Sequence, residues 1–559
     1  MTRGEKVWSI AVGIVLAVVT TLPFLLAYER QGTDLRFTGS LFAVEDGNSY
    51  IAKMRRGAEG DWLFRSPYTA DEQAGVPAFL GYLLLGKLAS GQGSHEQLVA
   101  LFQLARILAI PLMVFATYRF VSRFVLEVRW RRWAAILAIV GGGLGWLVFL
   151  SGSSSWLGSQ PLELYSPETF GFLAALTFPH LLLARAFLLL GLDAYLGSVD
   201  RPRAAWVAAG WLVLLTVMQP LSIVAATAAI GAHQLLLFAR AAARHERPGI
   251  LRSLRPAAIA LAAPILVLGG YGLLLRRDIF LQTWAAQNIL NSPHPAHYLL
   301  AYGLLLPFVF LGMRRVWRQE HGEGLMLLGW AAVLPVLAYA PTVIQRRLPE
   351  GGWVVLATLA AIGLGGARLR DSVRWRLAAA ALALSMVSPT LLLFGAFRGA
   401  AAGLTPAFQP ANQVAAFEWL AENAESGAVV LTAFQTGNAL PAWAPAFVVI
   451  GHGPESADLK ALTPRVDSYF ADSGAGTQAA ALLQEFGVGY VFVGDAERAL
   501  GFDAARLPPS LTVVYSEGGI VVYRVELDPS PEGGMPSPEV SMSATADESL
   551  TRGEVPAAW

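Results

Sequence analysis

The sequence predicts a polytopic α-helical membrane protein that carries a small C-terminal α/β domain. Of its 559 residues, 55% are hydrophobic and 14% are charged, whereas soluble proteins typically have about 25% charged residues. Apolar runs long enough to cross a bilayer recur throughout the first 400 residues. After residue 410 they give way to short β-branched runs that alternate with helical patterns, which is typical of an α/β domain.

The lengths of the apolar runs predict eleven membrane spans. The first run lacks a cleavage site of the A-x-A type and is interpreted as a retained anchor rather than a signal peptide. A shorter run, 76–88, is more typical of an interfacial or re-entrant segment. The predicted spans are 7–28, 97–122, 133–151, 170–197, 204–218, 221–239, 256–275, 298–313, 324–341, 353–367 and 377–397.

The distribution of arginine predicts the orientation of these spans. With a cytoplasmic N-terminus, most arginine clusters fall on cytoplasmic connections, as the positive-inside rule requires. The first loop, 29–96, and everything after residue 398 then face outwards. Three basic groups break the rule and need local partners; they are Lys53 with Arg55 and Arg56, Arg276 with Arg277, and Arg346 with Arg347.

The predicted domains are a membrane domain over 1–400, an outer α/β domain over 401–527 and a disordered tail over 528–559. Strands are expected at 429–432, 447–450, 490–493 and 521–524, and helices at 413–423 and 479–486. The net charge of +1 argues against a nucleic-acid partner, and the absence of cysteine excludes disulfides and thiolate chemistry.

The first outer loop opens with an acidic pair, Glu45 and Asp46. A carboxylate at the membrane surface can act as a general base or hold a divalent cation. Alternatively, Asp46 caps a helix over 49–56, because Asp is a favourable N-cap residue. The two interpretations are compatible, since a capped carboxylate is also a positioned one. Tyr50 and Trp62, in the same loop, are candidate substrate contacts.

Arg346 and Arg347 are candidate ligands of a phosphate group, because guanidinium groups match phosphate oxygens bidentately. The alternative is that both side chains reach the lipid headgroups.

Three histidines and a tyrosine complete the candidate substrate-binding residues. His294, His297 and Tyr298 lie in one loop, and the His-x-x-His spacing can serve a metal but lacks a third ligand. The alternative is an interfacial loop stiffened by prolines. His180 lies at membrane depth, where ionisable residues are usually functional or paired with another buried group.

Together these residues resemble the GT-C class of integral-membrane glycosyltransferases, which includes protein O-mannosyltransferases and aminoarabinose transferases. The resemblance covers about residues 1–400: a first span, then a large outer loop with the acidic pair, Gly60-Asp61-Trp62 and an interfacial helix. The C-terminal stretch, with Gly451-His452-Gly453-Pro454-Glu455 and Tyr490-Val491-Phe492-Val493-Gly494, resembles the outer domains of uncharacterised bacterial members.

This resemblance implies an enzyme of the bacterial plasma membrane. It would transfer a sugar from a polyprenyl-phosphate-linked donor to a lipid, glycan or protein acceptor on the outer face. Asp46 would be the base or a ligand of Mg²⁺ or Mn²⁺, with Glu45 beside it, and a single displacement would invert the anomeric centre. The loop after the third span lacks the acidic motif that some members use for metal binding.

Two other functions fit the sequence. A transporter or flippase would need ionisable groups along a path through the midplane and often has repeated halves. Here the polar residues cluster at one membrane face, which favours an enzyme. The third interpretation is a scaffold without catalysis whose outer domain binds a partner. A single outward cavity lined by both Asp46 and Arg346 would favour the enzyme.

Overall fold

The computed structural model describes residues 1–91, 93–245, 250–319 and 322–526. Within them, seven helices are long and apolar enough to cross a membrane, or eight if the bent pair Pro295–Tyr302 and Leu306–Arg318 is one span. Two shorter apolar helices accompany these spans. The predicted fold class, a helical membrane protein with a small C-terminal sheet domain, is confirmed. The count of eleven spans stays a prediction, and the predicted tail lies outside the described residues.

The membrane domain and its loops contain nineteen of the described helices. In chain order they are α1 (Arg3–Arg30), α2 (Val44–Ala58), α3 (Leu80–Gly86), α4 (His95–Phe124), α5 (Val128–Val140), α6 (Trp146–Leu150), α7 (Leu162–Tyr165), α8 (Gly171–Leu176), α9 (Pro179–Gly197), α10 (Ala204–Met218), α11 (Ser222–Ala243), α12 (Ile250–Arg277), α13 (Ile279–Gln287), α14 (Pro295–Tyr302), α15 (Leu306–Arg318), α16 (Leu325–Ala338), α17 (Gly352–Gly365), α18 (Asp371–Ser385) and α19 (Val387–Ala402).

Long apolar helices pack side by side to form the bundle. One row of neighbouring helices consists, in order, of α1, α4, α9, α10 and α12. The helix α19 packs against α1 at the end of the row that is away from α12. α5, α17 and α15 form a second series that contacts the row through α4. The core between them is built from Leu, Ala, Phe and Trp side chains, which bury completely.

The predicted span 133–151 is interrupted between α5 and α6. Backbone approach explains the break, because a Cβ atom on Gly143 would lie 2.5 Å from Ala301. A continuous helix with larger side chains could not pass at this distance.

Two helices of the first outer loop, α2 and α3, contact each other through glycines. A Cβ atom on Gly57 would lie 2.1 Å from the carbonyl oxygen of Leu83, and one on Gly86 would lie 1.8 Å from that of Met54. The helix α3 lies within the apolar run for which a short interfacial segment is predicted.

The C-terminal domain is built on a mixed sheet. Its elements are β2 (Phe408–Pro410), α20 (Ala411–Asn423), β3 (Val429–Leu431), α21 (Phe434–Trp443), β4 (Phe447–Val448), α22 (Leu459–Ala471), α23 (Thr477–Glu485), β5 (Val488–Val493), α24 (Asp495–Ala499), β6 (Leu511–Glu517) and β7 (Ile520–Val525). The strand order is β4-β3-β5-β7-β6, in which β4, β3 and β5 are parallel and β7 is antiparallel to both neighbours. All four predicted strands occur; β6 is an additional edge strand whose side chains are mostly exposed.

The C-terminal domain, named the outer domain for its predicted location, is attached by backbone pairing to the loop over 29–96, which is named the first outer loop for the same reason. β1 (Leu35–Phe37) of that loop pairs antiparallel with β2. The N–H of Val448 donates to the carbonyl oxygen of Pro67 at 2.9 Å, and the ring of His95 stacks on Trp443 with centroids 3.5 Å apart. The loop and the domain therefore form one packed unit above the bundle.

We expect alkaline phosphatase fused after Gly403, just beyond α19, to be active, because the predicted orientation puts this point outside the cytoplasm. A fusion after Asp200, between α9 and α10, should be silent and serves as the control. Reporter activity in cells and the amount of each fusion protein are the measurements. A well-expressed but silent Gly403 fusion would contradict the predicted orientation.

Candidate active site

A cavity of about 1120 Å³ lies between the bundle, the first outer loop and the outer domain. Five of the predicted site residues line this cavity: Asp46, Tyr50, His180, Arg346 and Arg347. The sequence separates them into three regions of the chain, and the fold brings them together. The structure therefore has the arrangement that favours an enzyme over a transporter or a scaffold: a carboxylate and two arginines line one cavity.

Helix α2 carries Asp46 into the cavity. This helix begins at Val44, after Ala43, whose backbone is left-handed (φ 46°) and whose side chain makes no capping hydrogen bond. Asp46 therefore lies in the first turn, and its interpretation as an N-cap residue is wrong because the helix starts earlier than predicted. A carboxylate in the first turn is still favoured by the positive end of the helix dipole.

His452 of the outer domain lies between two carboxylates. Its Nε2 is 3.4 Å from Oδ1 of Asp46, and its Nδ1 is 3.7 Å from Oε1 of Glu455. The side chains of His452 and Glu455 are each 4% exposed, whereas that of Asp46 is 51% exposed, towards the cavity. Asp46 is thus the member of the group that a substrate can reach.

The charges of this group reinforce one another. Burial would lower the pKa of His452, but Glu455 and the contact with Asp46 raise that pKa above its usual range. Desolvation inside the cavity would raise the pKa of Asp46, but His452, with Arg347 and Lys53, holds that pKa below its usual range. Asp46 is therefore ionised at neutral pH.

A buried ion pair lies behind His452. Nζ of Lys53 is 2.5 Å from Oε1 of Glu455, and the two side chains are 1% and 4% exposed. Ser49 also donates to this carboxylate at 2.7 Å. Burial would raise the pKa of Glu455, but Lys53 and His452 hold it below its usual range. Lys53, one of the basic residues that break the predicted arginine distribution, therefore has a local partner.

The other basic residues of α2 also have local partners. Arg55 donates to the carbonyl oxygens of Gly93 and Ala442, both at 3.0 Å. Arg56 forms ion pairs with Glu59 and Asp61, each at 2.6 Å. Neither arginine lines the cavity.

Glu45, the other member of the acidic pair, points to the outer domain rather than the cavity. Its Oε1 accepts from the backbone N–H of Gly453 at 2.8 Å. Its contact therefore holds the loop that carries His452.

A second part of the cavity wall, formed by residues after α16, is basic. Nε of Arg347 lies 3.2 Å from Oε1 of Glu168, and the guanidinium of Arg346 lies over the ring of Tyr165 at 4.5 Å from its centroid. Both arginines retain N–H groups that a phosphate could accept from. Glu168 is 5% exposed and fixes the position of Arg347.

Aromatic residues connect the two walls. Tyr50 stacks on Tyr82 with ring centroids 4.4 Å apart, and the hydroxyl of Tyr82 lies 2.6 Å from Nδ1 of His180. Burial raises the pKa of both tyrosines, so their hydroxyls stay neutral and can donate or accept hydrogen bonds.

Four other candidate residues lie outside the cavity lining. Trp62 is 67% exposed, with the ammonium of Lys87 over its ring. His294 caps α14, Nε2 of His297 lies 2.6 Å from the carbonyl oxygen of Trp156, and the hydroxyl of Tyr298 bonds to Ser292. The roles predicted for these four in substrate binding stay predictions.

A divalent cation fits the surroundings of Asp46 poorly. In the described ranges, no three His, Asp or Glu side chains converge as metal ligands. Of the nearest carboxylates, Glu455 is paired with Lys53 and Glu168 with Arg347. His452, Lys53 and Arg347 already surround Asp46 with positive charge, which disfavours a further cation.

Sequence reasoning missed three cavity residues. The sequence pattern singles out His452 and Glu455 only within the stretch Gly451-His452-Gly453-Pro454-Glu455, and it does not single out Glu168. A histidine between two glycines is a usable signal, because glycines mark close backbone approach. Nothing in the sequence indicates which distant residue such a histidine faces.

Comparison with solved structures identifies the fold. The apo oligosaccharyltransferase of Archaeoglobus fulgidus matches with a TM-score of 0.56 at 13% identity, covering 94% of this chain and 75% of that chain. The oligosaccharyltransferase AglB of Archaeoglobus fulgidus, in complex with an inhibitory peptide and a dolichol-phosphate, matches with a TM-score of 0.53 at 14% identity, covering 88% and 70%. Arabinofuranosyltransferase AftD from mycobacteria matches with a TM-score of 0.50 at 16% identity, covering 92% and 41%.

No protein-family model and no curated protein sequence matches the chain. The likeness to solved structures confirms the predicted GT-C-like fold.

We expect Lys53→Met to lower the free energy of unfolding by about 3–5 kcal/mol, because it leaves the Glu455 carboxylate buried without its ammonium partner. The double variant Lys53→Met/Glu455→Gln should lose less than Lys53→Met alone. Unfolding of the purified protein in detergent is the measurement.

The exposed pair Arg465 and Glu485 provides the matched control for this buried pair. Arg465→Met should change the free energy of unfolding by less than about 1 kcal/mol. Equal losses for Lys53→Met and Arg465→Met would contradict a buried, stability-determining pair.

Proposed function

We propose that this protein is a membrane glycosyltransferase that moves a sugar from a polyprenyl-phosphate donor to an acceptor at the outer face of the membrane. The observation that carries the proposal is one cavity, in a GT-C-like fold, that has Asp46 on one wall and Arg346 and Arg347 on another. The presence of dolichol-phosphate in the AglB structure supports a lipid phosphate as the donor's leaving group.

The acceptor's nucleophile loses a proton as it attacks the anomeric carbon. Asp46 is ionised and half exposed to the cavity, so its carboxylate can accept that proton. The bond from the anomeric carbon to the phosphate oxygen breaks at the same time, and this oxygen takes up negative charge. A single displacement of this kind inverts the anomeric centre.

The departing phosphate needs positive charge on the other side of the sugar. Arg347 and Arg346 can donate charge-assisted hydrogen bonds to its oxygens, and Glu168 keeps Arg347 in place. Placing the base and the phosphate ligands on separate walls lets the sugar lie between them.

The remaining lining of the cavity supports a lipid-linked substrate. Leucines of α12 and α19, among them Leu268, Leu275, Leu391 and Leu392, continue the cavity towards the membrane. Such a surface can hold a polyprenyl chain by van der Waals packing, because lipid tails are as apolar as leucine side chains. The identity of the acceptor, whether lipid, glycan or protein, is left open by this lining.

Asp46→Asn tests the base. The change keeps the side-chain volume and removes most of the basicity, so sugar transfer should fall by about 10²–10⁴-fold, while the protein stays folded and binds donor. The measurement is transfer of labelled sugar from a panel of undecaprenyl-phosphate-linked hexoses and pentoses to an envelope extract.

Glu45→Gln is the matched control for this change, since Glu45 contacts Gly453 and does not line the cavity. It should reduce transfer far less than Asp46→Asn. Near wild-type transfer by Asp46→Asn, together with loss of transfer in Glu45→Gln, would assign the base to Glu45. Full transfer by both variants would remove the acidic pair from the mechanism.

Arg347→Ala tests the phosphate site. Loss of one charge-assisted contact, worth about 1.5–3 kcal/mol, should raise the donor KM by one to two decades, roughly. The control is Arg277→Ala, an exposed outer-side arginine at the end of α12 that does not line the cavity. Unchanged donor KM in Arg346→Ala, Arg347→Ala and the double variant would favour contacts of these arginines with lipid headgroups.

A further inference from the structure

The loop between β4 and α22 carries His452 across the junction between the outer domain and the first outer loop. Gly451 lets this loop lie directly on α21, because a Cβ atom there would be 2.4 Å from the backbone of Gly437. The hydroxyl of Ser456 accepts from the N–H groups of Gly451 and His452 at 3.0 and 3.1 Å. The backbone that presents His452 is therefore fixed within the outer domain.

The same loop is held against one face of α2. Glu45, Ser49 and Lys53 succeed one another at four-residue spacing, which places them on one side of a helix. All three bind the loop: Glu45 through the N–H of Gly453, and Ser49 and Lys53 through the carboxylate of Glu455.

The orientation of the His452 imidazole ring is also fixed. The ring of Tyr68 packs beside it with centroids 5.3 Å apart, and the Tyr68 hydroxyl donates to the carbonyl oxygen of Asn438. Nδ1 of His452 faces Glu455, so Nε2 is the nitrogen that faces Asp46. Both sides of the imidazole thus have one carboxylate each.

We propose that His452 is a positioning residue through which the outer domain completes the active site, by holding the Asp46 carboxylate in its reactive orientation. The proposal rests on the proposed function above. Nε2 of His452 lies 3.4 Å from Oδ1 of Asp46, and the half-exposed carboxylate keeps its other oxygen, Oδ2, available to the acceptor's nucleophile. Fixing the carboxylate in advance improves the chemical step, because small misplacements of a reacting group cost about 10²-fold in rate.

This role predicts a specific kinetic result. His452→Leu should lower kcat by about 10–100-fold. The donor KM should stay unchanged, because the proposed contacts with the donor phosphate come from Arg346 and Arg347. His452→Gln should recover most of the loss, since the Gln amide N–H can donate at the position of Nε2. Transfer of labelled sugar by the full-length protein, as for Asp46→Asn, gives both constants.

A double-mutant cycle separates positioning from a general structural role. If His452 acts through Asp46, then His452→Leu should reduce kcat much less in the Asp46→Asn background than in the wild-type background. A residue that only stabilises the fold would cause the same loss in both backgrounds.

His95→Leu is the matched control. His95 is also 4% exposed and also lies at the junction, stacked on Trp443, but it does not line the cavity. It should lower the melting temperature without the selective loss of kcat. Equal losses of kcat in His95→Leu and His452→Leu, or additive losses in the cycle, would overturn the proposal.

Failure of this proposal and failure of the proposed function have different signatures. If Asp46→Asn abolishes transfer and His452→Leu does not, only the role of His452 is wrong. If the wild-type protein transfers no sugar from any donor in the panel, the proposed function is wrong. In that case the melting temperatures of the wild type, the two single variants and the double variant still test the contact between His452 and Asp46. His452→Leu should lower the melting temperature less when Asp46 is already Asn. Equal shifts in both backgrounds would overturn the contact.

Discussion

The buried ion pair between Lys53 and Glu455 is the constraint on which the rest of the site depends. Neither charge is tolerable alone in the interior, because an unpaired buried charge costs several kcal/mol. Lys53 belongs to the first outer loop and Glu455 to the outer domain, so the two units must be docked for either charge to be satisfied. Docking brings His452 next to Asp46, so the group formed by Asp46, His452 and Glu455 depends on the ion pair.

The electrostatics of the cavity follow a simple division. On one wall the negative charge of Asp46 is stabilised by a histidine and a lysine whose side chains are almost completely buried. On the other wall the positive charges of two arginines are only partly compensated, by Glu168 and by the ring of Tyr165. A substrate that develops positive character at its centre and negative charge on its leaving group is complementary to this division.

Apolar length and residue type made the bundle predictable, because lipid permits few alternatives to a helix. α1 and α4 begin at Arg3 and His95, within four residues of the predicted starts at 7 and 97. Asp46 could be singled out because it belongs to an adjacent acidic pair in the large polar loop after the first span. The start of α2 could not be predicted, since Ala43 precedes the helix in a left-handed conformation that is uncommon for alanine. The contact of His452 with Asp46 joins distant parts of the chain, and no local pattern encodes it.

The pairing of β1 with β2 has a consequence for the order in which the protein matures. Lys53 and Glu455 are 402 residues apart, and β1 must likewise wait for β2, which follows α19. At about 5–20 residues per second, synthesis leaves the first outer loop without these partners for about 20–80 s. During that interval the loop exposes an unpaired strand edge and a lysine without its carboxylate. We infer that the site is assembled last, so that a nascent chain released early carries no competent enzyme.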